Sequence, residues 1–493
     1  HMLAVLRPGG MMATVMPHGV LFRGGAEQEI RASILGDDLL EAVIGLPPNL
    51  FYGTGIPACI LVLRAPRAKP RERQGKVLFI NADAEYHAGR AQNFLRPEHI
   101  EKIVSTFGDF RDVVHYAHVV ALDELVENDY NLNIRRYADN APPPELHDVR
   151  AHLLGGVPAA EVQARQALLE AVGLDAAAIF VPRRATKDER PMADEAAPSS
   201  LVLGPSSYLD FHPGLTARSQ LKARIEADPG VQARAAQLRD AFAAWWEARV
   251  PRLAALPGTN NLFVTRTDLL DSFQEALLPI GMLDRFQVAG VVASWWNEIQ
   301  YDLKTLAAQG FYGLVDSWIA SLRAAVEGEE ERNGEDPLEH PLVQHILPEY
   351  LERLDALEAA VADLKAQIAE AQQGSEEEED AALSQSQVDL KMLRLELRAK
   401  RGELKALQDE LLDRLEAARA ALEPEEAQAL VLAIERERLA AELERYASAV
   451  RQQAIAAVGD WWDKYRVPLQ EIEVERNAAA KRLREFVEGL GYV

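Results

Sequence analysis

Between residues 64 and 76 the chain carries Arg64, Arg67, Lys69, Arg71, Arg73 and Lys76 against a single acid, Glu72. Cations at that density on a loop form either a solvated surface or a face for phosphate groups. A second group with chemical potential is Pro17-His18-Gly19. It closes a short apolar run at 11–16, and the carboxyl end of a parallel strand is where α/β folds place their ligands. His18 there either lines a site or closes a turn. Other chemistries find no residues to carry them. The sequence holds no Walker motif, no His-Glu-x-x-His and no Gly-x-Ser-x-Gly. No His, Asp or Glu cluster has ligand spacing, so no metal is expected, and the one cysteine, Cys59, excludes a disulfide framework and a Cys-rich zinc site. Gly53-Thr54-Gly55 leads into a strand and not a helix, which makes it a tight turn and not a phosphate cradle.

The elements that must position these residues read as α/β over the first 80 positions. The run at 11–16 follows the turn Pro8-Gly9-Gly10 and predicts a buried strand. Residues 26–35 predict a helix, with Ile30 and Ile34 one turn apart and Gly36 as its stop. Apolar runs at 39–46, 56–63 and 77–80 predict three more strands. A helix between the first two runs fits parallel strands. The short loop Phe51-Tyr52-Gly53-Thr54-Gly55 cannot hold a crossover helix, so the strands on either side of it should be antiparallel. A helix is expected around 97–107. Beyond 215 the pattern is helical, and Trp245, Trp246, Trp295, Trp296 and Trp318 fall at spacings that suit packing. Leu354, Leu357, Val361, Leu364 and Ile368 step by alternate threes and fours. Leu390, Leu393, Leu397, Leu404, Leu407, Leu411, Ala418 and Leu422 continue the seam after an acidic break at 374–380, with Lys400 at one core position. Two such arms predict an antiparallel coiled-coil hairpin.

At 493 residues, with 48% hydrophobic and 26% charged side chains, the chain has the composition of a globular protein of about three domains. No apolar run reaches the ~18 residues that span a bilayer, and the opening segment is not a signal peptide, so a cytoplasmic protein with no membrane partner is expected. The formal charge is −24, unevenly placed. Residues 1–136 hold 15 basic and 16 acidic side chains, leaving 38 and 61 for the remainder. An acidic total argues against unaided nucleic-acid binding, but the nearly neutral first segment escapes that argument.

Three stretches resemble a known family. Leu6-Arg7-Pro8-Gly9-Gly10 with 15–25 (VMPHGVLFRGG) looks like the strand and loop that follow the catalytic motif of N6-adenine DNA methyltransferases, closest to the modification (methylation) subunit of type I restriction–modification systems. Residues 42–63 (AVIGLPPNLFYGTGIPACILVL) are similar to the last two sheet strands of that subunit, and 128–134 (NDYNLNI) with Arg136-Tyr137 to a further segment of it. The family's Asn/Asp-Pro-Pro-aromatic motif and glycine-rich S-adenosylmethionine loop, which lie upstream of the Leu-Arg-Pro-Gly-Gly turn, are not in this sequence.

The resemblance implies a fold class: a partial Rossmann-like methyltransferase sheet, its C-terminal half, followed by a mainly α-helical region with the long coiled-coil hairpin. The expected domains are 1–140 for the half-sheet, 141–210 for a linker with a mobile loop at 183–200, 211–340 for a helical domain, 341–424 for the coiled coil and 425–493 for C-terminal helices. It implies a parent activity, S-adenosylmethionine-dependent methylation of adenine N6 in DNA, with this chain supplying part of the target-base pocket and a docking surface and inactive alone. Phe51, with Tyr52 beside it, matches the family's aromatic that packs on the flipped adenine. Pro17, His18 and Gly19 would form the pocket rim. Arg64, Arg67, Lys69, Arg71, Arg73, Asn131 and Asn133 are candidate DNA contacts, although an Asn-rich turn also explains the last two. The implied partners are DNA, the specificity and restriction subunits, and the missing N-terminal methyltransferase part. The competing reading is a non-enzymatic helical interaction protein with a vestigial α/β module.

Overall fold

The computed structural model describes residues 2–141, 145, 147–183, 208–258, 261–328, 336–374 and 383–490. The chain divides into two compact units, one of 1–245, 270–297 and 442–493, the other of 246–269 and 298–441.

The first unit opens on a mixed sheet of β1 (Met11–Pro17), β2 (Leu40–Gly45), β3 (Ala58–Arg64), β4 (Lys76–Asn81) and, beyond a small hairpin of β5 (His87–Ala88) and β6 (Asn93–Phe94), β7 (Ala117–Ala121). The strand order is β1-β3-β2-β4-β7. β3 is antiparallel to both neighbours, in register from Met11↔Arg64 to Pro17↔Ala58 on one side. β1 and β2 therefore run the same way with β3 between them, helix α1 (Ala26–Gly36) joining the parallel pair and a helix-free loop, 46–57, the antiparallel one. β2 and β4 pair in parallel, and β7 is antiparallel to β4.

Side-chain alternation sorts the strands onto two cores. Val43, Leu63, Val77 and Phe79 face one side with Leu21 and Leu35, and Leu132, Ile134 and Tyr137 cover them. Ala42, Ile44, Val62, Leu78 and Ile80 face the other, under Ile103 and Phe107 of α2 (Pro97–Asp109). Two short helices, α3 (Leu122–Glu127) and α4 (Ile134–Tyr137), follow β7.

Residues 147–183, read from sequence as part of a linker, are folded. They carry helices at Val149–Leu154, Ala159–Ala164 and Gln166–Val172, and strands at Val157–Pro158 and Phe180–Pro182 that pair with Tyr208–Phe211 in a second sheet. Short elements with small residues leave little periodicity to read. The expected mobile loop at 183–200 lies, after Arg183, outside the described residues.

Of the tryptophans read as packing residues, Trp245, Trp246, Trp295 and Trp318 are buried and Trp296 is partly buried, and Trp245 Nε1 donates to Ser272 Oγ at 3.0 Å. In the second unit, helices Pro348–Gly374 and Leu383–Asp409 run antiparallel, since Tyr350 at the start of one donates to the Leu407 carbonyl near the end of the other at 3.0 Å. Leu354, Val361, Leu364, Leu407, Leu411 and Leu415 are buried along this stretch. The acidic break at 375–380 lies outside the described residues. No described helix is long and apolar enough to cross a membrane.

Candidate functional site

Because β1, β2 and β4 share one direction, their carboxyl ends meet at one edge of the sheet, at Pro17, Gly45 and Asn81. In α/β folds this edge is where loops converge on a ligand. Three loops leave it here.

The first carries His18 and Gly19. His18 Nε2 lies 3.0 Å from the Ala58 carbonyl, so that nitrogen holds the ring proton. Burial lowers the imidazole pKa from its ordinary value; the Ala58 contact and the Asp83 charge pull it up, and the Arg135 charge pulls it down. His18 is therefore neutral at pH 7.

The second loop joins β2 to β3. Asn49 and Gly53 take left-handed backbone conformations, with φ of 54° and 75°. Asn49 N–H donates to the Gly55 carbonyl at 3.3 Å and Thr54 N–H to Phe51 at 3.4 Å. The turn leaves Phe51 40% exposed and Tyr52 92% exposed, so both rings face solvent at the carboxyl edge.

The third loop follows β4 and holds polar groups that the sequence reading did not single out. Asn81 is buried and donates through Nδ2 to the Ala138 carbonyl at 2.9 Å. Asp83 takes Arg135 Nη2 at 2.8 Å on one oxygen and Asn140 Nδ2 on the other. The Arg135 pKa is raised by its hydrogen bond to Asp83, then by the same charge. The available signal was positional: Asn81-Ala82-Asp83 stands directly after the apolar run of β4. Close approach is allowed by Gly45, where a Cβ would meet Ile134 Cδ1 at 2.9 Å.

The other candidates lie elsewhere. Arg64, Arg67, Lys69, Arg71 and Arg73 follow the far end of β3, about 20 Å along a seven-residue strand from the carboxyl edge. Three of them are held internally. Arg64 Nε meets Glu41 Oε2 at 2.5 Å and Arg73 Nη1 meets Glu41 Oε1 at 3.1 Å. Lys69, buried, donates to Asp38 at 2.6 Å and to the carbonyls of Leu40 and Lys76 at 2.8 and 2.6 Å. Arg67 and Arg71 are exposed. The structure does not bring this loop together with His18 or Phe51.

Asn131 serves a turn: its Oδ1 accepts from Asn133 N–H at 2.9 Å, and its carbonyl accepts from Tyr137 Oη at 2.7 Å. Asn133, exposed, precedes α4 as its cap residue with no side-chain capping bond. Among the described residues no group of three or more His, Cys, Asp or Glu is placed to hold a metal ion.

Residues 1–145 match the N-6 DNA Methylase family. The methylase subunit of the type I restriction enzyme MjaVII of Methanocaldococcus jannaschii is 42% identical over 142 residues, which are 28% of this chain and 24% of that protein. That of MpnII of Mycoplasma pneumoniae is 35% identical over 150 residues, 30% of this chain and 27% of that one. Among solved structures, the methyltransferase subunit of a type I restriction–modification system from Streptococcus thermophilus is 45% identical over 26% of each chain, with a TM-score of 0.25. The chain thus spans about a quarter of the length of these relatives. The resemblance stated from residues 6–137 is borne out over 1–145.

Proposed function

We propose, from the premise that residues 1–145 are an N-6 DNA methylase segment, that this chain supplies one wall of the adenine pocket of a type I modification enzyme. The observation that carries the reading is the placement of Phe51 and Tyr52. They stand exposed on a hydrogen-bonded turn at the edge where His18, Asn81 and Asp83 also converge. An enzyme that acts on a base within duplex DNA must turn it out of the stack, and the pocket that receives it gains from an aromatic face. Phe51 provides that face. His18, neutral and fixed by Ala58, offers a rim without placing a cation beside the adenine amine.

The methyl group in this proposal comes from S-adenosylmethionine. The described residues do not fit that cofactor. After β1 the chain enters α1 through Gly24 and Gly25, and the first turn of α1 carries Glu27 and Glu29, which oppose a carboxylate at the helix start. No glycine cradle follows β2 or β4. In this reading the family's glycine-rich loop holds the cofactor and its Asn/Asp-Pro-Pro-aromatic segment supplies the amine-aligning acceptors, and the chain alone transfers no methyl group. DNA, the specificity and restriction subunits and that methyltransferase part are the proposed partners. The buried seam of the paired helices in the second unit suits a coiled-coil docking arm.

The test is reconstitution. The full chain is mixed with the cofactor-binding part and specificity subunit of a similar type I methylase, and labelled methyl transfer to adenine N6 is measured. Activity that needs all three components is expected. No activity in the mixture, with no specificity subunit co-purifying, would favour the non-enzymatic interaction protein.

A further inference from the structure

The Phe51 loop does not stand alone. Asn93, on β6, donates from its backbone to the Asn49 carbonyl at 2.8 Å and from Nδ2 to the Pro48 carbonyl at 2.9 Å. These two bonds join the β5–β6 hairpin to the strand of loop that leads into Phe51. At its base the hairpin is held by Arg96, whose Nη2 lies 3.0 Å from His87 Nε2 and whose N–H donates to His99 Nδ1 at 3.0 Å on α2. His87 and Phe94 face one another across the hairpin with ring centroids 4.9 Å apart.

What this braced hairpin displays suits a nucleic-acid strand. Phe94 is 43% exposed and Tyr86 38% exposed, on the hairpin that Asn93 ties to the loop carrying Phe51 and Tyr52. Its turn, closed by Gly89 N–H on the Gln92 carbonyl at 3.1 Å, presents Arg90 to solvent, and no hydrogen bond or ion pair holds Arg90 among the described residues. The nearby acids are already occupied: Glu85 by Lys102 and Asp83 by Arg135. An unpaired guanidinium beside exposed rings is the combination that binds phosphate and base faces together.

We propose that the hairpin His87–Phe94 is a second DNA contact, with Arg90 on a phosphate and Phe94 on the base next to the one Phe51 meets. This rests on the base-facing reading of the Phe51 loop. It differs in its ligand, because it grips the flanking strand and not the target adenine.

The experiment uses the full chain and two fluorescein-labelled single-stranded oligonucleotides, identical except that one carries an abasic site in place of the target adenine. Binding is followed by anisotropy across a salt series. Arg90→Ala is expected to reduce the slope of log K against log salt by about 0.7, the value for one phosphate contact on a single strand. Arg90→Lys should keep the slope. Phe94→Ala is expected to weaken binding about tenfold. Both losses should be equal on the adenine and abasic strands, whereas Phe51→Ala should act on the adenine strand only. Melting curves matching the parent chain exclude unfolding. Equal losses from Arg90 and Phe94 with no effect of Phe51→Ala would sink the base-pocket reading and leave the hairpin contact standing. An unchanged slope and affinity for both hairpin variants, losses confined to the adenine strand, or no binding by the full chain would overturn the hairpin contact.

Discussion

The Arg31 guanidinium donates through Nε to the Tyr130 carbonyl at 2.8 Å, and through Nη1 to the Val20 carbonyl at 2.9 Å. Arg31 is buried, and burial lowers its pKa without removing the charge. The relationship explains the polar stretch at 128–133. Asp129 and Tyr130 both take left-handed backbone conformations, with φ of 56° and 55°, which a tyrosine rarely adopts. The buried cation holds that turn and so delivers Leu132, Ile134 and Tyr137 to the sheet. Arg31→Leu should leave two carbonyls unpaired and cost about 2–4 kcal/mol. Urea unfolding of the chain measures it, and a change below about 0.5 kcal/mol would show that the turn needs no such brace.

Glu41 sits fully buried in β2 between Arg64 and Arg73. Removing one member of a buried ionic group strands the others, so Glu41→Ala should destabilise by about 3–5 kcal/mol. Arg67→Ala and Arg71→Ala, on the same basic loop but exposed, should stay within about 0.5 kcal/mol. The contrast separates the two explanations of that loop. If it bound phosphate at Arg64 and Arg73, their replacement would change DNA affinity more than stability.

Much of the sheet was legible because alternation and loop length are local. The antiparallel pair was read from the turn around Gly53; the connection runs to twelve residues (46–57) but holds no helix, and the apolar runs set the strands within a residue or two. The internal pairing of the basic loop was not legible, because composition reports charge and not its partner. Glu41, which neutralises two of its arginines, lies more than twenty positions away and reads as a strand residue. Asn81, Asp83 and Arg135 were missed for the same reason: their meeting depends on how α4 returns across Gly45. The place of His18 at the carboxyl edge was legible from its position after β1, whereas its contact with Ala58 needs the β1–β3 register.

In the second unit His340 is a helix cap: Nδ1 accepts from Leu342 N–H at 3.1 Å, and only an unprotonated nitrogen can do so. Burial, then the Arg438 charge, lower its pKa to about 4, against a smaller opposing pull from Asp302. The folded value lies below the unfolded one. Stability is thus full above about pH 6.5 and is lost as pH falls toward 4, where the unfolded chain binds the proton first. His340→Asn keeps a capping acceptor without the titration. It should remove a loss of about 2–3 kcal/mol, the difference between those limits reduced for solvent screening, read by denaturant melts between them. A profile unchanged by His340→Asn would assign the acid sensitivity to carboxylates.

Phe51 bears the proposed chemistry, and its variants separate stacking from loop structure. The ring is half exposed and its turn is held by backbone bonds of Asn49, Thr54 and Asn93, so Phe51→Ala should leave the melting behaviour of the chain unchanged. In the reconstituted methyltransferase the same change removes one face of the adenine pocket. It should weaken productive binding of target DNA by about 1–3 kcal/mol, the range for a base on an aromatic ring. Phe51→Trp should restore most of this. A mismatch opposite the target adenine lowers the cost of turning the base out and so should raise binding, by less in Phe51→Ala than in the parent, because the freed base finds no ring to meet. Equal gains in the two enzymes, or kinetics unchanged on both duplexes, would show that the flipped base rests on other residues and that Phe51 only closes the edge of the sheet.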